Sequence, residues 1–207
     1  MRRLTVLSFA VLSQIAFAGN QIYEPLSASV QAALHAAVSD RATPFLAFDT
    51  VEEARAWLDA MSRKLEHRMS DKREREEFLV TVHYEAKRAG LDPQLVLGLI
   101  QVESNFRKHA VSGAGARGYM QVMPFWIKLI GTRDHNLFHL RTNLRYGCTI
   151  LRYYLDIERG DYFRALGRYN GSLGQADYPN MVVRAWNNNW KYPVRAISSE
   201  SRAAGRG

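Results

Sequence analysis

The chain has 207 residues, a formal charge of +8, a pI near 9.8, and 47% apolar against 23% charged residues. That balance excludes a disordered polyelectrolyte and allows one domain with a real core plus appendages. The basic excess favours anionic surroundings such as nucleic acid, lipid headgroups or an acidic wall polymer, and a single cysteine, Cys148, excludes an internal disulfide.

The first element is "MRRLTVLSFAVLSQIAFA", with Arg2 and Arg3 ahead of a short apolar run and Ala16-Phe17-Ala18 at its end. This reads as a secretory signal peptide over 1–18, too short and too interrupted for a spanning helix. Its removal takes two arginines and lowers the charge from +8 to +6. No later segment is long and apolar enough to span a membrane, so the expected location is periplasmic or secreted.

Residues 19–75 read as a helical extension. "ASVQAALHAAVS" predicts a short helix, and "DTVEEARAWLDAMSRKLEHRMS" a longer one capped by Asp49 or Thr50. "DKREREEFLVTVHYEAKRAG" predicts a helix after Ser70 that stops at Gly90. In "LDPQLVLGLIQVESN", Asp92 takes the cap position and Pro93 the first helical position. Helices also follow in "NLRYGCTILRYYLDIERG", "DYFRALGRYNG" and "YPNMVVRAWNNNW". Cys148 falls in such a pattern and reads as a buried, inert thiol. Alternating strand patterns and internal repeats are absent. The fold class is mainly α, and the tail over 193–207 reads as disordered and basic.

Between the fourth and fifth of these segments lies "SGAGARGYMQVMP", whose Gly113, Gly115 and Gly118 match the G-x-G-x-x-G spacing of a dinucleotide-binding turn. The context contradicts that reading. A helix precedes the motif instead of a strand, and Pro124 would break a helix springing from the last glycine. The glycines instead permit a tight, irregular loop.

Beside this loop stands Glu103, four residues after Leu99 and therefore on or next to the apolar stripe of Leu95, Leu99 and Val102. A carboxyl in apolar surroundings is pushed towards its neutral form, which suits a general acid. Residues 104–133 contain no Asp or Glu but carry Ser104, Asn105, Ser112, Tyr119, Gln121 and Trp126, the group types of a sugar-binding groove. A standard glycosidase needs a second carboxylate. Asp134, Asp156, Asp161 or Asp177 could supply it only through the fold.

Together, "GLDPQLVLGLIQVESNFRKHAVSGAGARGYMQVMP", "NLRYGCTILRYYL" and "ALGRYNGS" closely resemble the soluble lytic transglycosylases, relatives of goose-type lysozyme. The resemblance runs over about 78–190. It implies a mainly α, lysozyme-like transglycosylase domain, set at 76–192, with a groove for peptidoglycan glycan strands. The implied reaction cleaves the β-1,4 bond between N-acetylmuramic acid and N-acetylglucosamine and leaves a 1,6-anhydromuramic end. Neither a metal nor a cofactor is required. Glu103 falls on the single catalytic acid/base, and Ser112 on a serine near the centre. Met120 and Gln121 fall on a groove-lining motif, and Tyr169 and Asn170 on a motif whose tyrosine adjoins the acid/base.

Three departures stand out. Tyr119 replaces a usual leucine, Arg168 replaces an alanine, and "GQADYPNMV" lacks the Glu-Thr-Arg run that precedes a late site tyrosine, leaving Tyr178 as its counterpart by position alone. Two other functions stay open. A lysozyme-type hydrolase would give reducing ends instead of anhydro ends, and a non-catalytic wall-binding scaffold would give no products. Nucleic-acid binding has no supporting module. The 19–75 extension could dock a protein partner, shape the groove, or pack on the domain as an added layer.

Overall fold

The structure is a computed structural model in which residues 21–192 are described. The expected signal peptide at 1–18 and the basic tail at 193–207 lie outside them. Among the described residues the chain forms eight α-helices: α1 (Ala28–Val38), α2 (Val51–Leu65), α3 (Lys72–Arg88), α4 (Pro93–Ser104), α5 (Phe125–Ile130), α6 (Leu140–Ile157), α7 (Tyr162–Asn170) and α8 (Asp177–Ala185). A π-type segment, Trp186–Trp190, continues from α8. The only β pairing among them is two isolated bridges, Val111 with Arg117 and Arg117 with Val122. The mainly α class is as expected.

Short polar side chains start these helices by accepting hydrogen bonds from first-turn N–H groups that lack helical partners. Ser27, Thr50, Asp71, Asp92 and Asp161 all do so. The α3 cap is thus Asp71, one residue after Ser70. Helix α2 stops at Leu65, the last apolar residue of its buried face, and the backbone that follows turns around the buried Arg75. Its guanidinium donates to the carbonyls of Met69 (2.6 Å) and Ser70 (3.0 Å). Gly90 does end α3, in the left-handed region at φ +66°, with the Leu91 N–H returning to Ala86 O.

The centre of the core is α4. Leu95, Val96, Leu97, Leu99 and Ile100 are each 0% exposed, so the helix is apolar on all sides and not on a single stripe, as a fully enclosed helix must be. It packs against α3, α8 and the Trp186–Trp190 segment. Gly98 allows the closest of these approaches, since a Cβ there would fall 2.8 Å from Trp186 N. Helix α6 lies across α3, α7 and α1.

The N-terminal helices are integral to this packing. Trp57, Met61 and Leu65 of α2 are buried, α2 lies on α3, and α1 touches α5 and α6. Buried Glu85 of α3 accepts from Arg145 (2.9 Å) and Arg88 (3.0 Å), and Asp40 beyond α1 lies 3.7 Å from Arg145. This polar cluster ties α3 and α6 to the segment that follows α1. Cys148 is fully buried, and burial pushes its thiol well above the ordinary range. No helix of the described residues is long and apolar enough to cross a membrane.

One helix is additional to those expected. Pro124 does not merely end the glycine loop. It occupies the N-cap position of the six-residue α5, where its missing N–H and fixed φ are tolerated.

Candidate active site

The loop that follows α4 is held against the helix it leaves. Helix α4 ends in two left-handed residues, Asn105 (φ 48°) and Phe106 (φ 64°), and Gln121 (φ 47°) repeats that conformation farther on. Left-handed backbone is unfavourable for side chains of this size and persists only where surrounding structure enforces it. The enforcing contacts are specific. Ser104 Oγ donates to Tyr119 O at 2.7 Å. Buried Asn143 of α6 accepts the Met120 N–H at 2.8 Å and donates Nδ2 to Arg117 O (2.8 Å) and Leu137 O (2.9 Å).

Of the three fingerprint glycines, Gly115 (φ +86°) and Gly118 take left-handed backbone and Gly113 does not. Gly118 combines φ +76° with a position where a Cβ would fall 2.4 Å from Asn143 Nδ2, whereas Gly113 faces open space. The loop is therefore shaped by its contacts with α4 and α6.

Glu103, in the last turn of α4, is 3% exposed. Tyr178 of α8 donates its hydroxyl to Glu103 Oε1 at 2.5 Å. Tyr169 of α7 is fully buried beside them and donates to Met120 O at 2.7 Å. Burial, with the Glu103 charge as the next cause, holds both phenols well above their ordinary range. Both remain protonated donors throughout the neutral range. One carboxyl group, two neutral tyrosines and the folded-over loop thus meet where α4, α7 and α8 converge.

The other residues singled out in the sequence lie in varied surroundings. Met120 is fully buried and packs on α6, where a Cβ on Gly147 would lie 2.3 Å from its sulfur. Gln121 is 1% exposed, and its amide donates to Ala110 O (3.1 Å) and Gly118 O (2.9 Å). Expected as groove-lining side chains, both are turned inward here, Met120 by packing on the Gly147 surface and Gln121 by donating to two carbonyls of its own loop. Ser104, Tyr119 and Trp126 are likewise buried, while Ser112 is half-buried and its Oγ accepts from Ala116 N at 3.1 Å. Asn170 is buried in the last turn of α7. Among the candidate second carboxylates, Asp161 caps α7, Asp156 pairs with Arg152, Asp134 bonds Thr132, and Asp177 begins α8 on the surface.

Two residues the sequence did not single out shape the site. Asn143 carries the loop, and Gln21 reaches it from about 100 positions away, bonding Gln121 O (3.3 Å), Met123 N (3.1 Å) and Trp126 Nε1 (3.1 Å). No local pattern marks either residue, since a helical asparagine and a glutamine before the first helix look like ordinary surface positions.

Comparison with known proteins places the chain in a family. Residues 81–187 match the family model described as the transglycosylase SLT domain. A protein named transglycosylase from Enterobacteria phage PRD1 is 38% identical over 101 residues, covering 45% of this chain and 37% of the phage protein. Membrane-bound lytic murein transglycosylase C of Actinobacillus pleuropneumoniae (serotype 5b) is 50% identical over 48 residues, 23% of this chain and 13% of that protein. The chain therefore spans well under half the length of these relatives. A solved lytic transglycosylase Slt of Pseudomonas aeruginosa aligns with a TM-score of 0.44 and 21% identity, over 66% of this chain and 25% of that one. With the family model covering more than half of the chain, and Glu103, Tyr169 and Tyr178 all inside it, the chain belongs to the transglycosylase SLT family.

Proposed function

We propose that the protein is an exported peptidoglycan lytic transglycosylase with Glu103 as its single acid/base. The observation that carries this reading is the buried Glu103 carboxyl with the Tyr178 hydroxyl 2.5 Å from Oε1. Burial disfavours a lone carboxylate, and a neutral phenol donating to it offsets that penalty. Such a group can give up a proton and then persist as an anion long enough to take one back.

In the proposed reaction Glu103 protonates the glycosidic oxygen between N-acetylmuramic acid and N-acetylglucosamine as the C1–O bond breaks. The resulting carboxylate then accepts the proton of the muramic C6 hydroxyl, whose oxygen bonds to C1 and closes the 1,6-anhydro ring. Water is neither added nor lost. An intramolecular nucleophile carries a large proximity advantage, so no second carboxylate is needed. That fits the positions of Asp134, Asp156 and Asp161, each engaged with other groups.

Tyr178 would steady the carboxylate. Tyr169 would hold the loop through Met120 O, and Ser112 and Asn170 would contribute at the edge of the site. The proposed division is a signal peptide at 1–18, a helical extension at 19–75, the transglycosylase domain at 76–192 and a tail at 193–207, acting in the periplasm or outside the cell.

The test is digestion of purified sacculi by the wild type and by Glu103→Gln, followed by mass spectrometry of the released muropeptides. The expected result is 1,6-anhydro muropeptides from the wild type and none from the variant. Reducing-end products would move the assignment to a hydrolase, and a fully active Glu103→Gln would remove the glutamate from the mechanism.

A further inference from the structure

Residues 21–26 form neither helix nor strand, yet Gln21 at their head is 4% exposed. Its carboxamide oxygen accepts from Met123 N and from the Trp126 indole, each at 3.1 Å, and its nitrogen donates to Gln121 O at 3.3 Å. The loop it holds is the one whose Met120 carbonyl accepts from Tyr169, the phenol beside Glu103. The residues that follow are held far more loosely. Ile22 and Tyr23 are 59% and 57% exposed, Tyr23 meets Phe125 edge-on at 5.7 Å, and Glu24 lies 3.4 Å from Arg168.

We propose that this segment is a strap docked in an acetamido-binding position of the site, so that strap and amino sugar compete for the same backbone groups. The inference rests on the murein reading above. An acetamido group presents one carbonyl acceptor and one N–H donor, as the Gln21 carboxamide does. Its partners here are a backbone carbonyl and a backbone N–H of the loop folded over Glu103, with an indole N–H beside them. Gln21 is the hydrogen-bond partner of the Gln121 carbonyl and the Met123 N–H, so a departing strap would leave both groups open to a ligand.

Two further observations point the same way. On that reading Glu103 has to meet a glycosidic oxygen, yet the residue is 3% exposed in this conformation, so a neighbouring group has to move. In addition, Arg168, which stands where the resembled motif has alanine, is the residue that pairs with Glu24 of the strap. The strap has a specific anchor, Gln21, and a weak hold elsewhere, which is what a displaceable occupant requires.

The experiment uses the full mature chain and N,N′,N″-triacetylchitotriose as probe. Its dissociation constant is measured by calorimetry for the wild type, for Gln21→Ala, and for Glu24→Lys, a surface change that leaves the core intact. If the strap must vacate, both variants bind roughly three- to tenfold more tightly, because the apparent affinity of the wild type is reduced by the fraction of closed protein. Hydrogen exchange on the wild type supplies a second readout, with saturating saccharide speeding exchange at residues 22–26 while protecting 118–126. Equal affinities in all three proteins, no binding to any of them, or slower exchange at 22–26 would each overturn the strap. Failure of Glu103→Gln to abolish release from sacculi would sink the catalytic reading and leave these binding differences to be judged separately.

Discussion

Replacing Asn143 with alanine removes three hydrogen bonds, and the structure shows what each loss costs. Arg117 O keeps a second donor in Val122 N at 3.0 Å, so it stays satisfied. Met120 N–H and Leu137 O lose the partners seen at 2.8 and 2.9 Å, in residues 0% and 1% exposed. Each buried polar group left unsatisfied costs about 1–3 kcal/mol, so Asn143→Ala should destabilise the fold by about 2–6 kcal/mol. For a domain of this size that corresponds to a fall in Tm of roughly 10 °C.

Asn143→Asp should be at least as damaging. It keeps an acceptor for Met120 but sets a carboxylate oxygen against two carbonyls. Urea denaturation followed by near-ultraviolet circular dichroism measures both variants, and muropeptide release at a temperature where each is folded reports on the loop. A loss below about 1 kcal/mol in Asn143→Ala, or a near-native Asn143→Asp, would refute the claim that this side chain holds the loop.

Other positions give sharp expectations. Tyr178→Phe deletes the donor to Glu103, a hydrogen bond to an ionisable group worth about 1.5–3 kcal/mol, so kcat on sacculi should fall roughly tenfold to a hundredfold; an unchanged kcat would show that Tyr178 does not steady the acid. His83 is 1% exposed, stacks on Phe48 at 4.6 Å, and is depressed by burial to about 4 from an ordinary 6.5. The unfolded chain therefore takes up a proton that the native state refuses. Stability from this source is complete above about pH 6.5 and is lost as pH falls towards 4, by up to about 3 kcal/mol. His83→Phe should flatten the acid side of a denaturation series by that amount, and an identical pH dependence would contradict the burial argument. Gly98→Ala places a methyl 2.8 Å from Trp186 N, against backbone that cannot rotate away. It should cost about 1–3 kcal/mol or more in a melt and lower activity by shifting α8, which carries Tyr178.

Much of the local structure was legible in the sequence because it depends on neighbours along the chain. Asp92 and Pro93 start α4 and Gly90 ends α3 through capping chemistry that spans only a few residues. Glu103 follows Leu99 by one helical turn, so its place beside the core was readable, and its motif context pointed to the family that the comparison established. Even there the limits of local reading show. Pro124 looked like a breaker and begins a helix, and the stripe on α4 is buried on every side because other helices enclose it.

The tertiary structure alone decided which groups meet that glutamate. Tyr178 lacks the run expected before it, yet the packing of α8 on α4 brings its hydroxyl to Glu103 across 75 positions of chain. Met120 and Gln121 carry the motif but turn inward, because the loop's buried carbonyls and the Gly147 surface claim their side chains. Asn143 and Gln21 bear no signal of their own and satisfy backbone atoms far away in sequence. Hydrogen-bond satisfaction in a folded interior is a property of the whole chain, and a sequence pattern records only the part of it that is local.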